Sequence, residues 1–209
     1  MFWNTETRNH GLPYSPFKAC VVPRPIGWIS TLSPDGAVNL APYSYFNGCG
    51  ENPPMVMFSG GPRPEGPYKD TVLNAETTGE FVCNICTWDL RDAMNRSSAG
   101  LPYGEDEMAF AGLETEPSEL VRPPRVKASP IHLECVYYQS VTMPSYGPTG
   151  EGNRVVFGKV VGIHIRDEVL TDGLVDMAKV RPIARLGYMD YTLVDNVFAM
   201  DRPTMKAAE

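Results

Sequence analysis

The stretch Val22-Pro-Arg-Pro-Ile-Gly-Trp-Ile-Ser-Thr-Leu-Ser-Pro-Asp-Gly-Ala-Val-Asn-Leu-Ala-Pro-Tyr-Ser-Tyr-Phe46 decides the fold. It reads as two β-strands joined at Ser33-Pro-Asp-Gly36. Pro34 presets φ for a turn, Asp35 can bond the backbone ahead of it, and Gly36 tolerates positive φ. The second strand runs into Ala41-Pro-Tyr-Ser-Tyr-Phe46, where a proline, small polar residues and aromatics crowd together. Rigid flat groups beside small polar ones suit a pocket for a flat, phosphorylated ligand.

Outward from this hairpin the chain keeps to short strands and turns. Nineteen glycines and twenty prolines among 209 residues favour them over long helices. Residues 1–20 form a lead-in in which Pro13 and Pro16 block regular structure. Further strands are predicted at Met55–Ser59, Glu80–Thr87, Pro130–Thr142 and Arg154–Ile165. Residues 60–67 read as loop, and residues 143–152 as a Pro/Gly-rich turn or loop. A short helix is predicted over Lys69–Thr78, capped by Asp70 or Thr71 and stopped by Gly79. Others are predicted over Trp88–Ser97 and Asp172–Val180. Residues 98–129 form a polar excursion with helical turns expected at Asp106–Ala111 and Ser118–Leu120. Gly158 and Gly162, inside the longest strand, mark bends of the kind that close a barrel. The pattern is that of one mainly β domain over residues 1–209, an antiparallel barrel, closed or partly open, with a few short helices.

Several function classes drop out. The formal charge is -7, and no Lys/Arg cluster is long enough to track nucleic acid. No stretch approaches the roughly 20 apolar residues of a membrane span. Met1–His10 lacks the basic start and apolar run of a secretion signal, so a cytoplasmic location is expected. Five cysteines, an odd count, argue against a disulfide framework. Cys83 and Cys86 fit C-x-x-C, but on a strand residues three apart face opposite sides, so they read as buried structural thiols. His10, His132 and His164 have no carboxylate or cysteine at ligand spacing, and no metal site is expected. The hydrolase elbow, the Walker loop and the dinucleotide fingerprint are all missing.

What remains is a ligand-holding pattern. Lys69-Asp-Thr71 opens a helix directly after a Gly/Pro loop. A helix start offers unpaired N–H groups and a positive dipole end, which suits phosphate. Lys69 adds charge and Thr71 a hydroxyl, with simple helix capping as the alternative role. Thr31, Ser44 and Ser59 end neighbouring strands and can converge on the same anion.

In order and spacing these pieces resemble the flavin reductase-like, FMN-binding split-barrel family, in its flavoredoxin-related branch. The matching segments are Pro23–Thr31, Asn39–Phe46, Asn52-Pro-Pro54, Lys69-Asp-Thr71 with Asn74, Gly79-Glu-Phe-Val82, Pro123-Pro-Arg125, and Arg185-Leu-Gly187 with Tyr191. The resemblance implies a dimeric, six-stranded split β-barrel with FMN near the subunit interface. It implies that Arg24, Ile29, Ser30 and Thr31, with Ser44, Tyr45, Phe46 and Asn47, lie against the flavin. It places Ser59, Lys69, Asp70 and Thr71 near the ribityl chain and phosphate. Arg185 is implied at the cofactor or the interface, with a structural salt bridge as its alternative. His164, Trp28 and Tyr45 are candidates for the substrate side, although His164 also reads as a packed strand histidine. The implied activity is hydride transfer from NADH or NADPH to FMN N5, a step that needs no protein acid or base. The alternatives are a flavoredoxin-like electron carrier, an FMN-binding protein without turnover, and a barrel acting on a small organic substrate.

Overall fold

A computed structural model describes residues 1–7, 9–63, 68–147 and 150–203. Pro64–Pro67 of the expected 60–67 loop, Pro148 and Thr149 of the 143–152 loop, and Arg8 of the lead-in lie outside the described residues, as do Thr204–Glu209.

The opening hairpin forms as read. Strand β1 (Gly27–Leu32) pairs antiparallel with β2 (Val38–Tyr43), Thr31 opposite Asn39. The turn closes with Gly36 N–H on the Ser33 carbonyl at 2.9 Å and Ser33 N–H on the Ala37 carbonyl at 2.8 Å. Gly36 sits at φ 87°, the left-handed residue that follows a type I turn in a three-residue hairpin. The chain then makes β3 (Phe46–Glu51), β4 (Pro54–Gly60), helix α1 (Asp70–Thr78), β5 (Glu80–Ile85), β6 (Ile131–Pro144) and β7 (Glu151–Ile165).

These strands make one antiparallel sheet in the order β2-β1-β5-β6-β7-β4-β3. Its two outer strands, β2 and β3, are consecutive in the chain and separated only by Ser44 and Tyr45. The sheet therefore curls to bring its two edges together at a seam there, and Ser59 N–H extends the β3–β4 ladder onto the Tyr45 carbonyl of that linker at 2.8 Å. This is a split barrel, with seven strands where six were expected. The extra strand is β3. Its Asn47-Gly-Cys-Gly50 run has poor strand propensity, and pairing with β4 makes it a strand.

Pleat alternation produces two cores. Ile29, Phe46, Phe58, Phe81, Cys83 and Val156 pack inside the barrel, where Val72 and Ala75 of α1 join them. Trp28, Leu40, Cys86, Met94, Met108 and Val126 pack on its outside. Cys83 and Cys86 thus fall in different cores, as strand geometry demands, and burial pushes the Cys86 thiol up to about 12. The strand glycines mark irregularities: the β6–β7 register shifts at Phe157/Gly158 and at Val160/Gly162. A Cβ on Gly158 would stand 2.3 Å from Phe81 Cζ, so any side chain there forces Phe81 or the backbone to shift.

Other expectations are corrected. The helix cap at α1 is Lys69, not Asp70 or Thr71, while Gly79 ends the helix in the left-handed region as expected. In the 98–129 excursion Glu107–Phe110 is helical, with Asp106 accepting from the Met108 and Ala109 N–H groups. Ser118–Leu120 makes no helical turn, because the buried Glu134 carboxylate takes the N–H groups of Glu119, Leu120 and Val121. Of Asp172–Val180 only Met177–Val180 is helical. Asp172 and Gly173, at φ 52° and 78°, instead turn a small hairpin between Leu170–Thr171 and Leu174–Val175. Trp88–Ser97 divides into a 3-10 turn, Trp88–Leu90, and a helix, Arg91–Arg96.

Candidate functional site

A cavity of about 540 Å³ opens where the start of α1 meets β2, walled on its far side by residues 97–101 and Glu107. Ala41, Pro42, Pro62 and Leu101 give it apolar surface. Lys69, Arg63, Asp70, Thr71, Asn39 and Glu107 give it charge and polarity. In the first turn of α1 the Val72 N–H bonds the Lys69 carbonyl at 3.0 Å, the N–H groups of Asp70 and Thr71 have no helical partner, and the helix dipole adds positive potential there.

Beneath this wall lies a buried polar network centred on Asn39. Its Oδ1 accepts from Thr71 Oγ1 at 2.7 Å and from Thr31 Oγ1 at 3.2 Å, and its Nδ2 donates to Glu107 Oε2 at 2.9 Å. Glu107 Oε2 also accepts the Leu40 N–H at 3.0 Å, and Asn74 Nδ2 donates to Thr31 Oγ1 at 3.2 Å. Burial raises the Glu107 carboxyl above its ordinary range, against the lowering effect of the Leu40 N–H and Asn39. Asp70 is likewise raised by burial, although Arg63 beside it forms an ion pair and pulls the other way. Lys69 Nζ stands over the Tyr43 ring, 5.8 Å from its centroid.

The sequence-predicted residues fall in five places. Lys69, Asp70 and Thr71 line the cavity, and Thr31 lies one hydrogen bond behind it through Asn39. Arg24, Ser44, Tyr45 and Arg185 gather at the barrel seam. Arg24 is buried, and its guanidinium bonds the carbonyls of Lys18 at 2.5 Å, Val21 at 2.6 Å and Leu186 at 2.9 Å. Those bonds tie the lead-in and the C-terminal hairpin to the barrel, and only a 3.4 Å contact to Ser44 Oγ remains. Arg185, opposite Arg24 in register, bonds the Tyr191 hydroxyl and, at 2.6 Å, the Tyr188 carbonyl. Trp28, Ile29, Ser30 and Phe46 are core. Trp28 is fully buried with its Nε1 on Ser97 Oγ at 2.9 Å, and Ser30 Oγ donates to the Pro124 carbonyl at 2.6 Å. Asn47 is exposed on β3, and Ser59 Oγ accepts from Asn153 Nδ2 at 3.1 Å. His164 lies in a separate cavity, paired with Glu134.

Sequence reasoning did not single out Arg63, Glu107 or the hub role of Asn39. One signal was present: the hairpin register puts Thr31 opposite Asn39, so one face of the hairpin carries a hydroxyl and an amide side by side. Nothing local links Glu107 to them across 68 residues.

A barrel open along one seam, with a cation-bearing cavity at a helix start, defines a split-barrel ligand-binding protein. Residues 19–184 match the flavin reductase-like domain, and the chain belongs to that family. An uncharacterised protein of Halalkalibacterium halodurans is 38% identical over 186 residues, covering 88% of each chain. Among solved structures, nitrilotriacetate monooxygenase component B from Bacillus cereus superposes with a TM-score of 0.88 at 30% identity, covering 96% of this chain and 98% of that one. The 2-nitrobenzoate 2-nitroreductase NbaA of Pseudomonas fluorescens superposes with a TM-score of 0.83 at 25% identity, covering 100% and 99%.

Proposed function

We propose that this chain binds FMN in the cavity at the start of α1 and works as an oxidoreductase that draws hydride from NADH or NADPH. The observation that carries the reading is the donor and acceptor layout of that cavity in a chain of the flavin reductase-like family. Lys69 and Arg63, with the first-turn N–H groups of α1, suit a phosphate. Thr71 gives its hydroxyl proton to Asn39 and so offers the cavity a lone pair. With Glu107 it forms an acceptor-rich stretch that suits the hydroxyls of a ribityl chain. Ala41, Pro42 and Leu101 supply apolar surface for a flat ring. When bound, FMN supplies a ring that accepts hydride and passes electrons on. The chain's own residues hold it, neutralise its phosphate and shield one side from water.

A reductase role is in keeping with the neighbours, one a monooxygenase component and one a nitroreductase. The reading includes a homodimer. Val136, Tyr138 and Val141 on β6 leave apolar surface exposed for a second copy to cover. Among the described residues no helix is long and apolar enough to cross a membrane.

The test is the visible spectrum of the purified protein, repeated without oxygen after NADH and then NADPH. The expected result is a flavin band that bleaches with one of them. A band that persists reassigns the protein to electron carriage or to another reductant. No band after added FMN removes the cofactor assignment.

A further inference from the structure

We propose that a second site, at the end of the β6–β7 pair, binds a free divalent oxyanion, and that binding puts a proton on His132. The site is a cavity of about 450 Å³ that shares no lining residue with the first. Its polar lining is Glu116, Arg125, His132, His164 and Arg166. Two guanidinium groups and two histidines thus face one lining carboxylate, with Glu168, outside the lining, 3.4 Å from Arg166.

Three observations build the site. First, Arg125 is only 8% exposed, and its Nε and Nη2 both bond the Pro117 carbonyl, at 3.1 and 2.9 Å. Its remaining nitrogen, Nη1, has a 3.5 Å contact with Glu116, too long to be a strong hydrogen bond. Second, Arg166 bonds the Lys127 carbonyl through Nη2, and its Nη1 reaches Glu168 only at 3.4 Å. Third, His132 is 2% exposed, and its Nε2 lies 2.9 Å from the Val126 carbonyl. A carbonyl only accepts, so Nε2 carries the proton and Nδ1 is left as a lone pair. That Nδ1 has no partner among the described residues.

A buried lone pair without a donor is poorly served, and so is a guanidinium nitrogen without a close acceptor. One anion resolves both: protonated at Nδ1, His132 donates to it, as do Arg125 and Arg166. The other groups around His132 are accounted for. Arg125 and His164 disfavour its charge and Glu116 favours it. Glu134, fully buried, is occupied by three backbone N–H groups and by His164 at 2.5 Å. Burial first, with Arg125 and His164 adding to it and the Val126 carbonyl and Glu116 opposing, holds the His132 imidazole down to about 4, so it is neutral at pH 7 until an anion arrives.

The probe is sulfate, which does not titrate near neutrality, exchanged for chloride at constant ionic strength and pH 6. The full chain, labelled with nitrogen-15 at histidine, is followed by NMR, and binding heat is measured in two buffers of different ionisation enthalpy. Sulfate is expected to drive the His132 ring nitrogens saturably to the imidazolium pattern, with net proton uptake. Arg166→Gln, a substitution at a half-exposed side chain, is expected to fold normally and weaken the response about tenfold. Lys69→Ala, in the first cavity, is expected to leave the response unchanged. His132 signals that ignore sulfate, binding without proton uptake, or an equal response in Arg166→Gln would each overturn the proposal.

Discussion

Thr71 donates its hydroxyl proton to Asn39 Oδ1 at 2.7 Å, and Asn39 in turn donates to Glu107 Oε2 at 2.9 Å. The direction of this chain decides what the cavity offers. Its hydroxyl and carboxylate oxygens accept, and its donors are Lys69, Arg63 and the backbone at the start of α1.

Asn39 is therefore the residue whose loss the network tolerates least. Asn39→Leu leaves Thr31 and Thr71 without their acceptor and takes from Glu107 one of its two donors, the Leu40 N–H remaining, all of them buried. An expected cost of roughly 2–4 kcal/mol follows from the unpaired groups, measured by urea denaturation. Asn39→Asp brings a second carboxylate to within hydrogen-bond reach of Glu107. The pair holds a proton more tightly than the unfolded chain does, so stability should fall as pH rises through and above the carboxylate range. A denaturation midpoint that does not change with pH in that variant would show the two groups lie further apart.

The same chain of donors ranks two substitutions by their effect on FMN affinity, read by quenching of flavin fluorescence. Lys69→Ala removes a cation and should weaken binding about tenfold or more. Thr71→Val keeps shape, and because the lost proton pointed at Asn39 it should weaken binding less. The double substitution Lys69→Ala with Thr71→Ala should lose most affinity while the fold persists. A larger effect from Thr71→Val than from Lys69→Ala would mean that the phosphate takes its hydrogen bond from that hydroxyl.

The sequence announced the hairpin, both long strands and the end of α1 because each rests on local physics. Ser33-Pro-Asp-Gly36 is a turn on its own chemistry, and Gly79 stops a helix wherever a left-handed residue is needed. What it hid was set by distant partners. Strand β3 exists because β4 pairs with it. Ser118–Leu120 avoids a helical turn because Glu134, well along the chain, takes its N–H groups. Arg24 spends its guanidinium on Leu186, 162 residues away, and Glu107 reaches Asn39 from inside a segment that looked like a polar excursion. Conformation set by turn and cap residues can be read locally; hydrogen bonds across the barrel cannot.

Gly158 tests how the barrel closes. An added Cβ would stand 2.3 Å from Phe81 Cζ and 2.5 Å from Cε1, inside a packed interior. Gly158→Ala should cost about 1–3 kcal/mol through overpacking. Phe81→Leu alone should also destabilise, by leaving a void. The pair together should cost less than the sum of the two single changes, since the smaller side chain vacates the space the methyl group needs. Simple additivity in this double-mutant cycle would mean that the β-bulge relieves the contact by backbone movement.

His132 gives the protein a pH dependence that can be isolated. Its imidazole is held down to about 4, chiefly by burial, against an unfolded value of 6.5. Between those values the unfolded chain binds the proton and the folded chain does not. Stability from this residue is thus complete above pH 6.5 and drains away as pH falls toward 4. The span corresponds to on the order of 3 kcal/mol. Asp70 and Glu107, raised by burial, act in the opposite sense, contributing at low pH and less as pH rises. They are common to wild type and His132→Gln, so the difference in unfolding free energy between the two proteins reports His132 alone. Measured by urea denaturation in chloride buffers, that difference should shift in favour of His132→Gln by a few kcal/mol from pH 7 to pH 4.5. Sulfate should reduce the shift, because an anion at the second site lets His132 take its proton while folded. A difference that stays constant with pH would mean that the folded and unfolded imidazoles titrate alike.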